Sequence, residues 1–393
     1  MKISFRVFQI ITVCLMIPIV CHAFDKWPDT GQIDSYTDTV GEDSDYTINP
    51  PSYTKLGVNG VVLLDGAAIE SGWIMTRDNV TGLIWEVKTD DGSIHDKNNK
   101  YTWCDSNIDN PGTCGEGTDT EDFIHKLNSE SFGGFDDWRL PTIKELSSIA
   151  KTGRHSPTIN THFFPNIGLL PDYYWSSTSY TNNYHVWQVY FYNFGFISTK
   201  PKSNQGYVFA VRGPKSNEPA LIDNGDTVTD TKTGLMWLKE SHGTVDWEAA
   251  INYCETLSSA NHDDWRLPNR NELQSLVDYS KSKPAIDTAL FPDTHSSNYW
   301  SSTTQAFLTT QAWFVNFDSG LLDYYDKSDT FYSYYVRPVR GGLPASLKDS
   351  FIGLKVMTSY QTTTDLSGDV NGNNKIDLLE SIYILQKITR RIE

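Results

Sequence analysis

Two stretches of the sequence decide the fold: DDWRLPTIKEL, from Asp136 to Leu146, and DDWRLPNRNEL, from Asp263 to Leu273. Eight of their eleven positions are identical, and their tryptophans, Trp138 and Trp265, are 127 positions apart. A match of this length within one chain indicates that a folding unit has been duplicated.

Further motifs repeat in the same order on both sides of these stretches. Trp175 and Trp300 are 125 positions apart, whereas Trp85 and Trp237 are 152 apart. The first copy therefore has about 25 extra residues between its first two motifs, and a loop bounded by two cysteines lies among them. The repeated motifs are TGLIW (Thr81 to Trp85), YYWSST (Tyr173 to Thr178), VWQVYF (Val186 to Phe191) and YVFAVRG (Tyr207 to Gly213), matched by TGLMW (Thr233 to Trp237), NYWSST (Asn298 to Thr303), AWFVNF (Ala312 to Phe317) and YYVRPVRGG (Tyr334 to Gly342).

Each WRLP motif is followed by a capping box, which predicts the start of a helix. Thr142 is followed three residues later by Glu145, and Asn269 by Glu272, so each side chain can bond the backbone at the other position. A second helix is predicted upstream of WRLP, because apolar residues recur there at helical spacing. In the second copy these residues are Trp247, Ala250, Ile251, Cys254 and Leu257.

The duplication also bears on the cysteines. Cys254 matches Leu127 of the first copy, which predicts a buried core thiol rather than a reactive one. Cys104 and Cys114 flank a loop rich in Gly, Pro and Asn. In an exported protein we expect them to form a local disulfide.

The later motifs predict strands, because they alternate and are rich in aromatic and β-branched residues. We expect the YWSST, WxVxF and YxxxVRG motifs of each copy to form one antiparallel sheet, with two helices packed against it and most repeated aromatic residues in the core. The predicted fold class is α+β. It comprises two tandem domains, each an antiparallel sheet plus two helices, followed by a small helical module.

The first residues have the pattern of a signal peptide. Lys2 and Arg6 precede an apolar run from Val7 to Val20, and Cys21-His22-Ala23 then offers a cleavage site. Residues 1–23 are therefore predicted to be removed, with a lipoprotein anchor on Cys21 as the alternative. No later segment is apolar for long enough to cross a membrane. The expected location is secreted, extracellular or at the cell surface, with the periplasm left open.

The charge of the chain argues against one class of partner. There are 32 basic and 49 acidic residues, a net charge of −17, which becomes −19 if Lys2 and Arg6 leave with the signal peptide. Nucleic acids and other polyanions bind through clusters of Lys and Arg. Nucleic acid is therefore not an expected partner.

The ordered motif series resembles the Lcl C-terminal domain family, named for the C-terminal domain of a collagen-like bacterial adhesin. The two copies cover roughly residues 60–213 and 220–342, and residues 24–59 resemble the extended lead-in of such proteins. The resemblance implies a C-type-lectin-like fold, related to that of formylglycine-generating enzymes, and attachment to extracellular glycans or cell-surface polymers. Because the chain is strongly acidic, we expect a polymer that is neutral or bridged by a cation.

The C-terminal tail contains a loop with the ligand spacing of an EF-hand, DVNGNNKIDLLE, from Asp369 to Glu380. Oxygen donors at alternate positions, closed by a glutamate, are what Ca²⁺ requires. Asn374 stands where Gly is usual, and Asn also tolerates a left-handed backbone. The predicted ligands are the side chains of Asp369, Asn371, Asn373, Asp377 and Glu380 and the backbone carbonyl of Lys375.

A fainter repeat predicts that residues 344–393 form a docking module. The stretch from Ser346 to Leu354 matches Asp377 to Leu385, 31 positions later. The pair resembles the two loop-helix units of a dockerin whose first loop has lost its calcium ligands. That resemblance implies a cohesin-like receptor as a partner.

Catalysis is not expected. No cysteine lies in the YWSST or VRG motifs, the eight histidines after residue 23 lie apart, and Ser176, Ser177, Ser301 and Ser302 lack a glycine-flanked elbow and a base. The Asp pairs before each WRLP motif are expected to bond Arg139 and Arg266 or to hold loop amides.

Three functions are therefore considered: an extracellular binding or adhesion protein, a scaffold subunit docked through its tail, and an enzyme of the formylglycine-generating type. The first is favoured, because the lectin-like domain is duplicated and a signal peptide precedes it.

Overall fold

The computed structural model describes residues 26–115, 117–153, 156–168, 173–192, 195–214, 220–328 and 334–342. The predicted signal peptide, residues 1–23, lies outside the described residues. The predicted calcium loop, Asp369 to Glu380, and the rest of residues 344–393 also lie outside them.

Each copy of the repeat folds into short strands and two short helices. The first copy has β1 (Tyr53–Leu56), β2 (Met75–Asp78), β3 (Ile84–Glu86), β4 (Tyr101–Thr102), α1 (Thr120–Ser129), α2 (Ile143–Ser148), β5 (Tyr174–Ser179), β6 (His185–Tyr190), β7 (Phe196–Pro201), β8 (Gln205–Gly206) and β9 (Val211–Arg212). The second has β10 (Leu221–Asp223), β11 (Thr227–Asp230), β12 (Met236–Leu238), β13 (His242–Val245), α3 (Trp247–Thr256), α4 (Arg270–Ser275), β14 (Asn298–Thr304), β15 (Gln311–Asn316), β16 (Leu321–Asp326), β17 (Tyr334–Val336) and β18 (Val339–Arg340). Single 3₁₀ turns are formed by Asp43–Asp45, Val58–Gly60, Ile69–Ser71 and Phe132–Gly134.

The strands form mostly antiparallel sheets, which confirms the mixed α+β class. The first domain has a four-stranded sheet of order β1-β2-β3-β9, and the second has the equivalent sheet, β10-β11-β12-β18. The YWSST strand lies in another sheet, β5-β6-β7 in the first domain and β13-β17-β14-β15-β16 in the second. Strands β14 and β17 pair in parallel, whereas the other named strands pair antiparallel.

The prediction of a single sheet for the YWSST, WxVxF and YxxxVRG motifs is wrong. The tyrosine of the last motif does lie beside the YWSST strand, in parallel, as the Tyr174–Tyr207 bridge shows. The Val-Arg pair that follows crosses to the other sheet, where Arg212 is opposite Ile84. An alternating pattern shows which residues form a strand, but the pairing partner is chosen by contacts distant in sequence.

Both predicted helices are confirmed in each copy. Helices α1 and α3 begin 127 positions apart, at Thr120 and Trp247. Both capping boxes form, since the side chains of Thr142 and Asn269 accept hydrogen bonds from the backbone three residues later. Cys254 lies on the buried face of α3, fully buried in the apolar core, as predicted.

The repeated tryptophans line the core, which confirms the shared architecture. Trp138, Trp175, Trp265 and Trp300 are each at most 2% exposed. The largest apolar cluster contains residues of both domains, including Trp85 and Trp237, so the two copies share a core.

The two domains meet through equivalent elements. Helix α2 packs against α4, and β7 lies beside β16. The Ser147 hydroxyl donates to Gln274 Oε1 at 2.7 Å, and these two residues occupy the same position in their copies. Lys144 Nζ donates to the Ser275 carbonyl at 3.0 Å. The contact is therefore like that of a two-fold dimer within one chain.

The lead-in forms a strap, residues 26–52, that lies across both domains. The amide of Thr152 donates to the Thr30 carbonyl in the first domain. In the second domain, Asn271 Nδ2 donates to the Pro28 carbonyl at 2.9 Å and the Thr303 hydroxyl donates to Asp43 at 2.6 Å. The strap leads directly into β1, so the first sheet begins inside the predicted lead-in, 24–59.

Candidate binding groove

The extra residues of the first copy occupy two places in the fold. Trp103 Nε1 donates to the Ser176 carbonyl and Trp247 Nε1 to the Ser301 carbonyl, so these tryptophans are structural equivalents, 144 positions apart. The offset is 152 at Trp85 and 127 at α1. Eight extra residues therefore precede Trp103 and 17 follow it.

The two insertions converge on one groove at the surface of the first domain. Its volume is about 590 Å³. One wall comes from the first insertion and β4, the opposite wall from the end of the second insertion, and the third side from α1. The lining residues are Gly92, Ser93, Ile94, Asn99, Lys100, Tyr101, Gly117, Thr118, Asp122, Phe123, His125 and Lys126.

The first wall is held by side-chain bonds to the backbone. Asn99 Nδ2 donates to the carbonyl of Ser93 at 2.8 Å and to that of Ile94 at 3.2 Å. Asp96, beside the groove, accepts from the amide of Gly92 at 2.7 Å. These bonds close a tight loop, because carboxylates and amides can replace missing backbone partners.

The second wall is fixed by a disulfide and a helix cap. Cys104 and Cys114 are bonded, which confirms that prediction. Asp119 caps α1 and also accepts from the Gly115 amide at 2.7 Å, and Asp122 accepts from the Gly117 amide at 2.7 Å. The end of the insertion is therefore tied to the first turn of α1.

The floor of the groove rests on a buried charged cluster. Glu86 is fully buried and accepts from Lys88 Nζ at 3.0 Å, and its carboxylate lies 2.7 Å from His95 Nδ1. Lys88 Nζ lies over the Phe123 ring, 4.7 Å from its centre, and the Phe123 and Tyr101 rings are 5.1 Å apart. Both aromatic residues also line the groove, so the charged cluster contacts the groove lining through the Phe123 ring.

Electrostatics keep Glu86 ionised despite its burial. Burial acts to raise the pKa of Glu86, but Lys88 and His95 outweigh it and lower that pKa below its usual value. Burial, and then the Glu86 charge, raise the pKa of Tyr101 to about 12. The equivalent of Glu86 in the second domain is Leu238, so this cluster belongs to the copy with the insertions.

The first serine of each YWSST motif has a structural role. The Ser176 hydroxyl donates to the Trp187 carbonyl at 2.7 Å, and the Ser301 hydroxyl donates to the Trp313 carbonyl at 2.9 Å. Both side chains are fully buried. These bonds join neighbouring strands within the sheet of each domain.

The predicted bonds of Arg139 and Arg266 to the preceding Asp pairs are wrong. Each arginine instead binds the glutamate of the capping box, which the start of the helix places beside it, and the second Asp of each pair binds the arginine of the VRG motif on a neighbouring strand. The observed pairs are Arg139–Glu145, Arg266–Glu272, Asp137–Arg212 and Asp264–Arg340.

One group of potential metal ligands occurs among the described residues: Cys104, Cys114 and Glu121. Its two sulfurs form the disulfide, and a metal needs the free thiolate. The predicted calcium ligands are outside this part of the chain. A search of the same described residues for a helix able to span a membrane found none.

A sequence profile of the Lcl C-terminal domain matches residues 74–212 and 226–340. The chain therefore belongs to the Lcl C-terminal domain family, of which it carries two tandem copies, as predicted. Membership of this family indicates a surface or adhesin-like protein. No curated protein and no solved structure matched the chain.

Sequence reasoning located the insertion but not the groove residues within it. The signal that could have found them was the difference in spacing between the two copies. It marked residues that the shared core does not require.

Proposed function

We propose that this protein is a surface-associated binding protein that recognises a neutral extracellular glycan in the groove of its first domain. The observation that carries the proposal is that both insertions of one copy converge on a single groove. Its volume, about 590 Å³, falls within the range of about 300–1,000 Å³ typical of small-ligand sites.

The lining of the groove favours a ligand rich in hydroxyl groups. Ser93 and Thr118 supply hydroxyls, Asn99 an amide, and Asp122 a carboxylate, so donors and acceptors are mixed. The aromatic residues are covered, with Tyr101 6% exposed and Phe123 1% exposed, which leaves their faces unavailable for stacking on a sugar. Hydrogen bonding should therefore dominate recognition.

Charge favours a neutral ligand over a polyanion. The groove contains both basic and acidic residues, and Lys126 is paired with Glu130 at 2.6 Å. The whole chain carries a net charge of −17, which repels polyanions at long range. We further propose that the protein is exported and that its domains have a C-type-lectin-like fold.

A glycan array with matched variants tests this proposal. His125 lines the groove and is exposed, and Asn252 is exposed at the equivalent position of α3. His125→Ala should weaken binding about two- to tenfold, the effect of losing one hydrogen bond. Asn252→Ala should leave binding unchanged. No binding to any glycan, or equal effects of the two variants, would contradict the proposal.

We also propose that the loop from Asp369 to Glu380 binds Ca²⁺, on the basis of its ligand spacing. Calorimetry should show one site that Glu380→Gln abolishes or weakens strongly, because the closing glutamate supplies two ligand oxygens. Asp365→Asn, just outside the loop, is the control. Unchanged affinity in Glu380→Gln would remove this assignment.

A further inference from the structure

The first domain exposes a row of aliphatic side chains on one short loop, residues 57–64, here called the aliphatic loop. Val58, Val61, Val62 and Leu64 are 56%, 58%, 61% and 85% exposed. Single exposed apolar residues are normal on protein surfaces, but a contiguous apolar patch marks an interaction site.

The aliphatic loop is a turn closed by hydrogen bonds of its own backbone, so the exposed side chains lie on a defined conformation. The Gly57 amide donates to the Val61 carbonyl at 2.8 Å, and the Leu63 amide to the Lys55 carbonyl at 3.0 Å. Asn59 and Gly60 have φ values of 58° and 72°, left-handed conformations that close the turn. A preorganised loop loses little entropy when it binds.

The core of the domain does not use these four side chains. Its contacts in this region come from Leu56, 1% exposed at the end of β1, and from Met75, fully buried on β2. Because Val58, Val61, Val62 and Leu64 are each more than half exposed, polar residues at these positions would lose little buried contact and would be better solvated. Packing within the chain therefore does not account for these aliphatic side chains, and an interaction with another molecule would.

The charges around the aliphatic loop indicate what covers it. Asp65 and Glu70 follow the loop and are exposed, and Asp65 lies 3.0 Å from His162 Nε2. The nearest lysine in sequence, Lys55, is buried, and its Nζ donates to the Ala67 carbonyl. The exposed charged residues that follow the loop in sequence are therefore acidic, and they form the rim considered below. An acidic rim opposes an anionic membrane and also a second copy of this acidic chain.

We propose that the aliphatic loop docks into an apolar cleft of a partner protein whose rim carries Lys or Arg. The aliphatic side chains fill the cleft and the acidic rim pairs with the basic one. The loop is separate from the glycan groove, so groove variants such as His125→Ala should leave docking unchanged.

Site-specific photocrosslinking in the producing cells tests this proposal. A photoreactive amino acid replaces Val61 in the full chain, and in a control it replaces Ile222, which is 53% exposed on the second domain. The Val61 probe should yield a discrete adduct whose crosslinked partner peptide lines an apolar cleft bordered by Lys or Arg. Adding Leu64→Asp should reduce the adduct at least tenfold without lowering the Tm, and raised salt should also reduce it.

The proposal is overturned by adducts with lipid, by adducts between two copies of this chain, by equal adducts from the Val61 and Ile222 probes, or by no adduct. A partner peptide from a polar or acidic surface also overturns it.

Discussion

Replacing Glu272 with glutamine should destabilise the second domain strongly, because it leaves a buried charge without its partner. Glu272 and Arg266 are each 3% exposed and make two hydrogen bonds of 2.6 Å with each other. Burial acts to lower the pKa of Arg266, but the Glu272 charge raises it overall, so the guanidinium stays ionised. Glutamine keeps the size of the side chain, removes the charge and replaces one accepting oxygen with an NH2 donor, so Arg266 also loses one of its two hydrogen bonds.

Two matched variants test how the loss of unfolding free energy depends on the burial of the ion pair. Removing one partner of a buried pair costs about 3–5 kcal/mol, which we expect for Glu272→Gln. Glu145→Gln, the equivalent change, should cost less, because Arg139 is 17% exposed and water can solvate it. Glu130→Gln breaks an exposed pair with Lys126 and should cost less than about 1 kcal/mol.

Urea denaturation followed by tryptophan fluorescence measures the free energy of unfolding of each variant. The expected order of destabilisation is Glu272→Gln, then Glu145→Gln, then Glu130→Gln. A loss below about 1 kcal/mol in Glu272→Gln would refute the reasoning, since it would mean that the pair contributes no more than a surface pair.

Three further predictions concern pH, the disulfide and the free cysteine. Burial raises the pKa of Asp29 from 3.8 to about 6, so the folded protein binds this proton more tightly than the unfolded chain. The contribution of Asp29 to stability should therefore fall by up to roughly 3 kcal/mol as the pH rises from about 4 to about 6. Urea titrations of Asp29→Asn should show a shallower slope over this range, the remainder coming from buried Asp43, whose pKa is also raised. Reducing the Cys104–Cys114 bond, whose sequence separation is 10, should cost about 2–3 kcal/mol and weaken glycan binding; equal urea midpoints with and without reductant would contradict this. Burial raises the pKa of Cys254 well above its usual value, so a thiol reagent should label Cys254 only after unfolding, and labelling of the native protein would show that the site is open.

Much of the fold could be predicted because the two copies within the chain can be aligned with each other. Leu127, which occupies the position equivalent to Cys254, identified that position as part of the core. The two capping boxes located α2 and α4. These features depend on residues a few positions apart, where spacing and side-chain chemistry determine the local structure. The partners of Arg139 and Arg266 could not be predicted in this way, because the glutamate that each arginine binds lies farther away in sequence than the Asp pair, and only the folded start of the helix brings it close.

The amino-acid sequence alone determined the duplication, the capped helices, the buried tryptophans and the region of the first copy that holds the extra residues, since each is encoded in periodicity or in the comparison of two copies. Only the tertiary structure decided that the Val-Arg strand joins the other sheet and that a strap lies across both domains. It also decided that insertions on either side of Trp103 meet in one groove. The physical reason is that such contacts join residues far apart in the chain, and the packing of the whole core selects among the available partners.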